Sequence, residues 1–357
     1  MTVINLSRSL AAAAAGLLFT LQAFAALPIQ HWQSPSGARV YFVENHDLPI
    51  LDLNVSFAAG SSQDRPDKPG VAALTRSLMA LGAGGLSDDE ISTRFADLGA
   101  QLGGEYDADR AALELRTLSS ERERTAALKL FASLLQQPDY PAAVLEREKA
   151  RTVAGLREAQ TQPESISSKA LGKALYANHP YALDELVEPE TVDKITREDL
   201  VAFHRGYYTR DNAVVAIIGD VTRAQAERIA EQMTAGLPLG SAAKALPPPA
   251  LPAAAVERRI AHPAAQSHIL MGYPGIKRGD PDYFPLYVGN YILGGGGFVS
   301  RLTEEVREKR GYAYSVYSYF APLKQPGPFQ IGLQTKRAQA ADAERLAREI
   351  LEDFVKN

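Results

Sequence analysis

The sequence predicts an α+β fold built from a duplicated domain, and three observations support this prediction. Short apolar runs rich in β-branched residues, typical of strands, alternate with longer segments whose apolar residues recur at helical spacing. Residues 238–256, PLGSAAKALPPPALPAAAV, have the proline- and alanine-rich composition of a linker. The segments on both sides of this linker follow one order, which is strand, Pro-Asp loop, helix, glycine break, helix and strand.

The composition is that of an ordinary globular protein. The chain has 357 residues, of which 46% are hydrophobic and 22% charged, and this length is sufficient for two packed domains. A formal net charge of −4 and an isoelectric point near 5.9 provide no general attraction to nucleic acid or to an anionic membrane. The chain has no cysteine, so it forms no disulfide and carries no lipid anchor on cysteine.

The first 25 residues have the pattern of a secretory signal. Arg8 lies in a short amino-terminal region, an apolar stretch covers 10–21, and AFA at 23–25 is a cleavage site of the A-x-A type. Because this apolar stretch is shorter than the ~20 residues that span a bilayer, we expect the signal to be cleaved off and not to remain as a membrane anchor. We therefore expect a mature chain of residues 26–357 in a bacterial periplasm.

Residues 26–237 contain the elements expected for the first domain. Two strand-like runs, 37–45 and 50–58, are separated by the turn sequence HDLP and are expected to pair with each other. The other strands are expected at 110–117 and 213–220. Helices are expected at 71–81, 87–98, 119–135, 141–159, within 160–206, and at 223–236. The helix at 87–98 opens on SDDE, which has the form of a capping box.

Residues 257–357 are expected to repeat the first part of this order. The predicted strands cover 268–275, 312–322 and 329–336, and the predicted helices cover 281–293, 300–309 and the residues from 338 onward. About 210 residues belong to the first copy and about 100 to the second. The second copy is therefore expected to be a truncated one.

One long motif resembles a known family. The sequence SRLTEEVREKRGYAYSVYSYF at 300–320, preceded by NYILGGG at 290–296, resembles the second-half signature of the insulinase-like (pitrilysin) zinc peptidases, which include mitochondrial processing peptidase. GVAALTRSLMALGA at 70–83, HPYAL at 179–183 and AVVAIIGDV at 213–221 agree with first-half features in the same order. The resemblance covers nearly all of residues 30–357. It implies α/β sandwich domains of the LuxS and processing-peptidase type, with antiparallel-rich sheets flanked by helices.

The resemblance also implies that the catalytic metal site is lost. In the family, a helix carries H-x-x-E-H, whose histidines bind zinc and whose glutamate activates the bound water. The matching positions here are Ala73, Arg76 and Ser77. Alanine has no donor atom, a serine hydroxyl is a poor zinc ligand, and arginine neither accepts a proton nor tolerates a nearby cation.

The third zinc ligand of the family is a glutamate on a later helix. It corresponds here to Gly155, and a slip in register would bring Glu148 or Glu158 to that position instead. One carboxylate does not make a zinc site, and no two histidines stand three or four residues apart. The six histidines are His31, His46, His179, His204, His262 and His268. We therefore expect no metal and no other cofactor in this chain, and zinc only in a partner subunit.

A second part of the family's active site is retained. In the family, an arginine and a tyrosine seven residues apart hold the substrate carbonyl near the zinc, and they correspond to Arg307 and Tyr314. Alternation along the following strand is expected to place Tyr312, Tyr314 and Val316 on one face. Such a fixed donor pair could stabilise a developing oxyanion. Considered without the family, Arg307 would be a helix residue paired with Glu304, and Tyr314 a core aromatic residue.

Three functions follow from these observations. The leading hypothesis is a zinc-less subunit of a two-chain peptidase, in which a separate chain supplies H-x-x-E-H and this chain binds an extended peptide through Arg307 and Tyr314. The second is a non-enzymatic scaffold or peptide-binding protein of the periplasm. The third is an autonomous metalloendopeptidase with a displaced metal site, which stoichiometric zinc in the purified chain would indicate.

Overall fold

The computed structural model describes residues 27–240, 243 and 245–357. The expected signal at 1–25 lies outside these residues. Among the helices in the described part of the chain, none combines the length and the apolar character needed to cross a membrane. The chain has two larger sheets, and each defines one unit. The first unit lies within residues 27–237 and the second within residues 266–357.

A six-stranded mixed sheet forms the first unit, with strands in the order β1-β2-β8-β3-β7-β6. The short edge strands are β1 (Gln30–Gln33) and β6 (Gln101–Gly103), and β2 (Arg39–Glu44) and β8 (Ala213–Gly219) lie inside the sheet. The two longest strands are β3 (Ile50–Phe57) and β7 (Ala111–Leu118), which pair antiparallel along their full length. Alternate residues of β3 are buried, as expected for a sheet with one face toward a core.

The expected direct pairing of β2 with β3 is wrong, because β8 lies between them. β8 pairs parallel with β2 and antiparallel with β3. The connection between β2 and β3 spans the end of β8, where Asn45 N donates to Gly219 O (3.1 Å) and Asp220 N donates to Ile50 O (2.9 Å). A tight hairpin usually has two residues in a primed turn, and the longer HDLP connection has room to pass over one strand.

Helices cover one face of this sheet. In chain order they are α1 (Val71–Leu78), α2 (Asp88–Asp97), α3 (Glu121–Gln136), α4 (Ala142–Ala159), α5 (Pro163–Tyr176), α6 (Pro189–Asp193), α7 (Arg197–Tyr207) and α8 (Arg223–Thr234). The capping box of α2 is confirmed, since Ser87 accepts from Glu90 N and the Glu90 carboxylate accepts from Ser87 N. The described residues between α8 and the second unit form neither helix nor strand.

Helix α1 is shorter than predicted, because the chain turns into a small hairpin directly after it. Strands β4 (Gly82–Ala83) and β5 (Leu86–Ser87) pair antiparallel around Gly84 and Gly85. The φ angles of these two glycines are +58° and +78°, which is the backbone that a primed hairpin turn requires. The glycine break seen in the sequence is therefore a turn.

The main core lies between the sheet and the helices. Its largest fully buried side chains include aromatic residues from β2, β3, α3 and the loops that follow α3 and α7: Phe42, Phe57, Phe131, Tyr140 and Tyr208. Helix α1 contributes Leu74 and Leu78 to the same core and packs against α7. Burial of each such side chain contributes roughly 1.5 to 3 kcal/mol. The helix that carries Ala73, Arg76 and Ser77 is thus a structural part of the first unit.

The second unit has a three-stranded antiparallel sheet in the order β10-β11-β9. Its strands are β9 (Gln266–Pro274), β10 (Ala313–Phe320) and β11 (Pro328–Lys336). Its helices are α9 (Tyr283–Asn290) and α10 (Ala340–Lys356), with π-helical turns at Tyr291–Gly295 and Thr303–Glu308. Short 3-10 turns occur in both units, at Ser61–Gln63, Pro180–Ala182, Asp184–Leu186, Arg210–Asn212, Gly297–Val299 and Arg337–Gln339.

The predicted order is therefore present in both units, although two predicted helices differ in detail. The segments expected as helices at 281–293 and 300–309 include wider π turns at Tyr291–Gly295 and Thr303–Glu308. Helical turns of this kind occur mostly as local irregularities within helices. The second sheet has three strands, whereas the first sheet has six.

Candidate functional site

The amino terminus of α1 is fixed by a buried carboxylate. Asp64 accepts hydrogen bonds from Gly70 N (2.7 Å) and Ala72 N (2.8 Å). These bonds satisfy backbone N–H groups that have no partner within the helix, where negative charge is also favoured by the helix dipole. Desolvation outweighs both bonds, and burial raises the pKa of Asp64 from 3.8 to about 7.

This pKa shift predicts a pH dependence of stability. Between pH 4 and pH 7 the folded chain holds the Asp64 proton more tightly than the unfolded chain, because the folded pKa is about 7 and the ordinary value is 3.8. The contribution of Asp64 therefore makes the free energy of unfolding fall as the pH rises, by at most ~1.4 kcal/mol per pH unit. Burial raises the pKa of Glu185, also to about 7, and that of Asp184, with the same sign.

We expect D64N to weaken this dependence. The loss of stability between pH 4.5 and pH 7 should be smaller in D64N than in the wild type by about 2 to 3 kcal/mol, because the other two carboxyl groups are unchanged. Urea unfolding at the two pH values measures this difference. The control is D97N, which changes an exposed aspartate of α2. If D64N and D97N lost the same stability between pH 4.5 and pH 7, the pH dependence would not come from Asp64.

Arg76, at the position of the family's catalytic glutamate, is bound to the sheet. Its Nε donates to Ala112 O (3.1 Å) and its Nη2 donates to Gly103 O (3.0 Å). Both carbonyls lie where the β6–β7 pairing ends, next to Gly104 at a φ of +140°. A Cβ on Gly104 would collide with Ala112 O and with Arg76 Nη2, so glycine is required for this close approach. Burial lowers the pKa of Arg76.

The neighbouring positions of the motif offer no metal ligand. Ala73 is half-buried and has no donor atom, and Ser77 is exposed on the surface of α1. Gly155 is exposed on α4, with open space where a side chain would be. Among the described residues, no three histidine, aspartate or glutamate side chains are grouped closely enough to hold a metal ion.

The two alternative carboxylates on α4 are also unsuited to zinc. Glu148 pairs with Arg147 (Oε1 to Nε, 3.0 Å) and with Arg151 (Oε2 to Nη1, 3.7 Å). Glu158 is exposed near the end of the helix. The residues at and around the motif therefore do not fit a zinc ion, and a half-buried arginine at the position of the base would repel one.

Two of the histidines, His204 and His46, make hydrogen bonds within the protein. His204 Nε2 is 2.9 Å from Leu135 O in the core, which is a hydrogen bond to the end of α3. His46 contacts the carboxylates of Asp220 (2.6 Å) and Glu44 (3.0 Å) at the surface, and the hydrogen bond with Asp220 is the main reason why its pKa is raised. These contacts account for both side chains without a metal.

The structure brings Arg307 and Tyr314 together. The guanidinium carbon of Arg307 lies 4.9 Å from the ring centre of Tyr314 and 4.7 Å from that of Phe298, so the cation is within cation–π distance of two aromatic rings. Phe298 is 72% exposed and Tyr314 is 83% exposed. The partner role of Phe298 was missed in the sequence, because it depends on the fold of the glycine-rich segment before it.

The interpretations of Arg307 and Tyr314 that do not use the family, as a partner of Glu304 and as a core aromatic residue, are both wrong. Arg307 Nε contacts Glu308 Oε1 (3.3 Å), whereas Glu304 pairs with Lys309 (3.0 Å). Tyr314 is an exposed residue, so it is not a core aromatic. The arginine and the tyrosine therefore form an accessible pair at the surface of the second unit.

The predicted alternation of Tyr312, Tyr314 and Val316 is also wrong, because β10 contains a bulge. Ala313 pairs with Thr335 and Val316 pairs with Leu333, so β10 has one residue more than β11 across this interval. Val316 is 6% exposed, whereas Tyr314 and Ser315 face solvent. The extra residue turns Tyr314 away from the core and toward Arg307, as bulges often do near functional sites.

A cavity of about 360 Å³ lies beside this pair. Its lining comes from the second unit and includes the start of β10 and the end of β11. The lining residues are Gln266, Arg307, Gly311, Tyr312, Ala313, Tyr314, Gln334, Thr335, Lys336 and Gln339. Ala73, Arg76 and Ser77 are not part of it. The structure therefore joins the two residues expected to bind substrate, and it keeps them apart from the altered motif of α1.

Comparison with known proteins agrees with this fold. The family model described as insulinase (peptidase family M16) matches residues 39–189, and the model of the peptidase M16 inactive domain matches residues 194–357. The structure of a peptidase M16 inactive domain from Pseudomonas fluorescens is 41% identical, with a TM-score of 0.90, over 93% of this chain and 80% of that chain.

Two curated relatives are more distant. The uncharacterized zinc protease YmxG of Bacillus subtilis is 24% identical over 85% of this chain and 73% of its own length. The non-peptidase homolog YmxG of Helicobacter pylori is 28% identical over 88% of this chain and 72% of its own length. Fold and site thus define a protein of the zinc-peptidase type whose motif helix has lost its metal ligands. The chain belongs to peptidase family M16, as an inactive homologue.

Proposed function

We propose that this chain is the zinc-less subunit of a two-chain M16 peptidase, which binds extended peptide through its second unit and pairs with an H-x-x-E-H subunit. The selective loss seen in the site is the observation that supports this proposal most directly. The catalytic positions of α1 are replaced, whereas Arg307 and Tyr314 form an accessible donor pair beside a cavity.

The replacement of the motif is more than a deletion. Arg76 uses the position of the catalytic base to bind two backbone carbonyls, so the helix is tied to the sheet where the family would hold a zinc ion. This supports a subunit that no longer cuts peptide by itself. The partner would supply both the zinc ion and the general base.

Strand addition is the expected mode of peptide binding. In the second sheet β10 is an outer strand, and Tyr314 lies on it beside Arg307. An extended peptide that pairs with the outer edge of such a strand gains main-chain hydrogen bonds, while its side chains enter pockets alongside. Asn290 Nδ2 donates to Ser318 O (3.1 Å) further along this edge, so the peptide would pair at the Tyr314 end. A peptide on the edge of β10 would pass Tyr314 and the neighbouring cavity.

The test is to purify the chain with a candidate H-x-x-E-H subunit, such as the product of an adjacent gene, and to measure peptide cleavage. We expect the double variant R307A/Y314F to lower kcat/KM by about 10²-fold, as the loss of oxyanion donors does elsewhere. The control is R345A, which changes an exposed arginine on α10 that pairs with Asp342. If the pair cleaves equally well with R307A/Y314F, the proposed role is wrong.

A second candidate function is a periplasmic scaffold or peptide-binding protein without any peptidase activity. The name of the Helicobacter pylori relative, a non-peptidase homolog, favours it. It differs from the first proposal in predicting stable association but no cleavage in any pairing. In both cases the periplasmic location rests on the signal-like pattern of the first 25 residues.

A further inference from the structure

We propose that the cavity beside Arg307 and Tyr314 selects peptides that present a carboxylate to it. This inference rests on the proposed peptide-binding function and adds the chemical class of the peptide. It follows from the charge of the cavity lining, from the groups that are left without partners, and from the size of the cavity.

The lining is cationic. Arg307 and Lys336 are the two charged residues among the ten that border the cavity, and none of the ten is an aspartate or a glutamate. Within the described residues, Lys336 forms no ion pair and no side-chain hydrogen bond. An anionic group that enters this cavity therefore meets a lining with two positive charges and no negative one, although Arg307 also pairs with Glu308 outside the lining.

Arg307 is held in a fixed position that suits a carboxylate. Its guanidinium lies within 5 Å of the ring centres of Phe298 and Tyr314, and its Nε contacts Glu308, which does not border the cavity. In the described part of the chain, the terminal nitrogens Nη1 and Nη2 of Arg307 make no hydrogen bond. A guanidinium that contacts aromatic rings and keeps its terminal N–H groups available can bind a carboxylate with two parallel hydrogen bonds.

One lining group indicates a peptide in preference to a simple anion. Gln339 borders the cavity, and its side-chain amide has an oxygen that accepts and a nitrogen that donates hydrogen bonds. A phosphate or sulfate ion at neutral pH brings few or no donors, whereas a peptide brings backbone N–H groups together with its carboxylate. The volume of about 360 Å³ is sufficient for a side chain or a chain end.

The carboxylate could belong to an acidic side chain or to the carboxyl terminus of the peptide. We therefore propose a selection experiment on the full chain, immobilised on resin. The probe is a random library of peptides about ten residues long, prepared in four forms. The library either contains Asp and Glu or has Asn and Gln in their place, and each version has either a free carboxyl terminus or an amide.

We expect peptides that carry a carboxylate to be retained roughly tenfold more than the matched neutral peptides. Added salt should reduce this enrichment. Comparison of the four forms shows whether the side chain or the terminus supplies the carboxylate. K336Q should lose most of this enrichment. The control K309Q makes the same change of charge on an exposed lysine outside the cavity, which pairs with Glu304 and Glu305, and it should retain the enrichment.

Three other outcomes would each contradict a different part of the proposal. Equal retention of all four libraries, with retention still lost in R307A/Y314F, would overturn the carboxylate preference and leave the proposed peptide binding intact. No retention of any library would contradict the peptide-binding function itself, and this inference with it. An equal loss of enrichment in K336Q and K309Q would assign the effect to net charge and would also overturn the role of the cavity.

Discussion

The variant D109N is expected to loosen the contact between the two units and to lower the free energy of unfolding by about 2 to 3 kcal/mol. Asp109 is buried in the first unit, and its two carboxylate oxygens have different partners. Oδ1 accepts from the hydroxyl of Tyr181 (2.7 Å), and Oδ2 accepts from Lys324 N in the second unit (2.5 Å). Tyr181 in turn accepts from Gln325 N (2.8 Å).

This arrangement explains why a change of one atom should have a large effect. Both groups that face the Asp109 oxygens act as donors, and the Tyr181 hydroxyl already accepts from Gln325 N. An asparagine nitrogen turned toward Tyr181 would need this hydroxyl to accept a second hydrogen bond and would leave the hydroxyl proton without its acceptor. A buried donor left without an acceptor costs the desolvation free energy of that group. Few other polar side-chain contacts join the units, and one of them, between Arg278 and Asp107 (3.0 Å), is partly exposed to solvent.

Two measurements check this prediction. Denaturant unfolding gives the change in stability, with D97N as the control for an exposed aspartate. Hydrogen exchange gives its location, because the amides of Lys324 and Gln325 should exchange faster in D109N than in the wild type. Y181F should produce the same local effect, and a double-mutant cycle should show that the two changes are not additive. Unchanged exchange at both amides would mean that Asp109 does not couple the units.

The variant R76M is expected to lower the free energy of unfolding by about 2 to 4 kcal/mol, because it leaves the carbonyls of Gly103 and Ala112 without their donor. Methionine keeps most of the volume of the arginine side chain, so the effect reports mainly on the hydrogen bonds. R76K should be intermediate, since lysine retains the charge but presents a single compact donor group.

The matched control for this series is R94M, on the exposed surface of α2, where a change within about 0.5 kcal/mol is expected. Denaturant midpoints and amide exchange in β6 measure the result. If R76M and R94M unfold at the same midpoint, Arg76 does not fix the end of the β6–β7 pairing. The replacement of the catalytic glutamate would then be a loss of function alone, with no structural role.

Much of the fold could be predicted because local signals determine it. The helices at 121–136 and 223–234 and the strand at 213–219 lie within a few residues of the predicted positions, since their apolar patterns have the period of the element they form. The capping box at Ser87 is a local interaction within one turn. The M16 family was likewise evident from motifs that are continuous in sequence.

The errors concern interactions between distant parts of the chain. The pairing of β2 with β3 was wrong because β8, which lies between them, is about 170 residues further along the chain. The alternation of β10 was wrong because a bulge depends on the register with β11. The shape of the cavity and the presence of Lys336 in it could not be predicted either, because both depend on how β10 and β11 meet.

The sequence by itself determined that this chain has the elements of an M16 peptidase and that Ala73, Arg76 and Ser77 cannot hold and use a zinc ion, because ligand chemistry depends on residue type. Only the tertiary structure decided what these positions do instead. Arg76 binds carbonyls that are 27 and 36 residues away, and Tyr314 faces Arg307 because a bulge turns it outward. Such contacts depend on three-dimensional packing, which patterns along the chain do not specify.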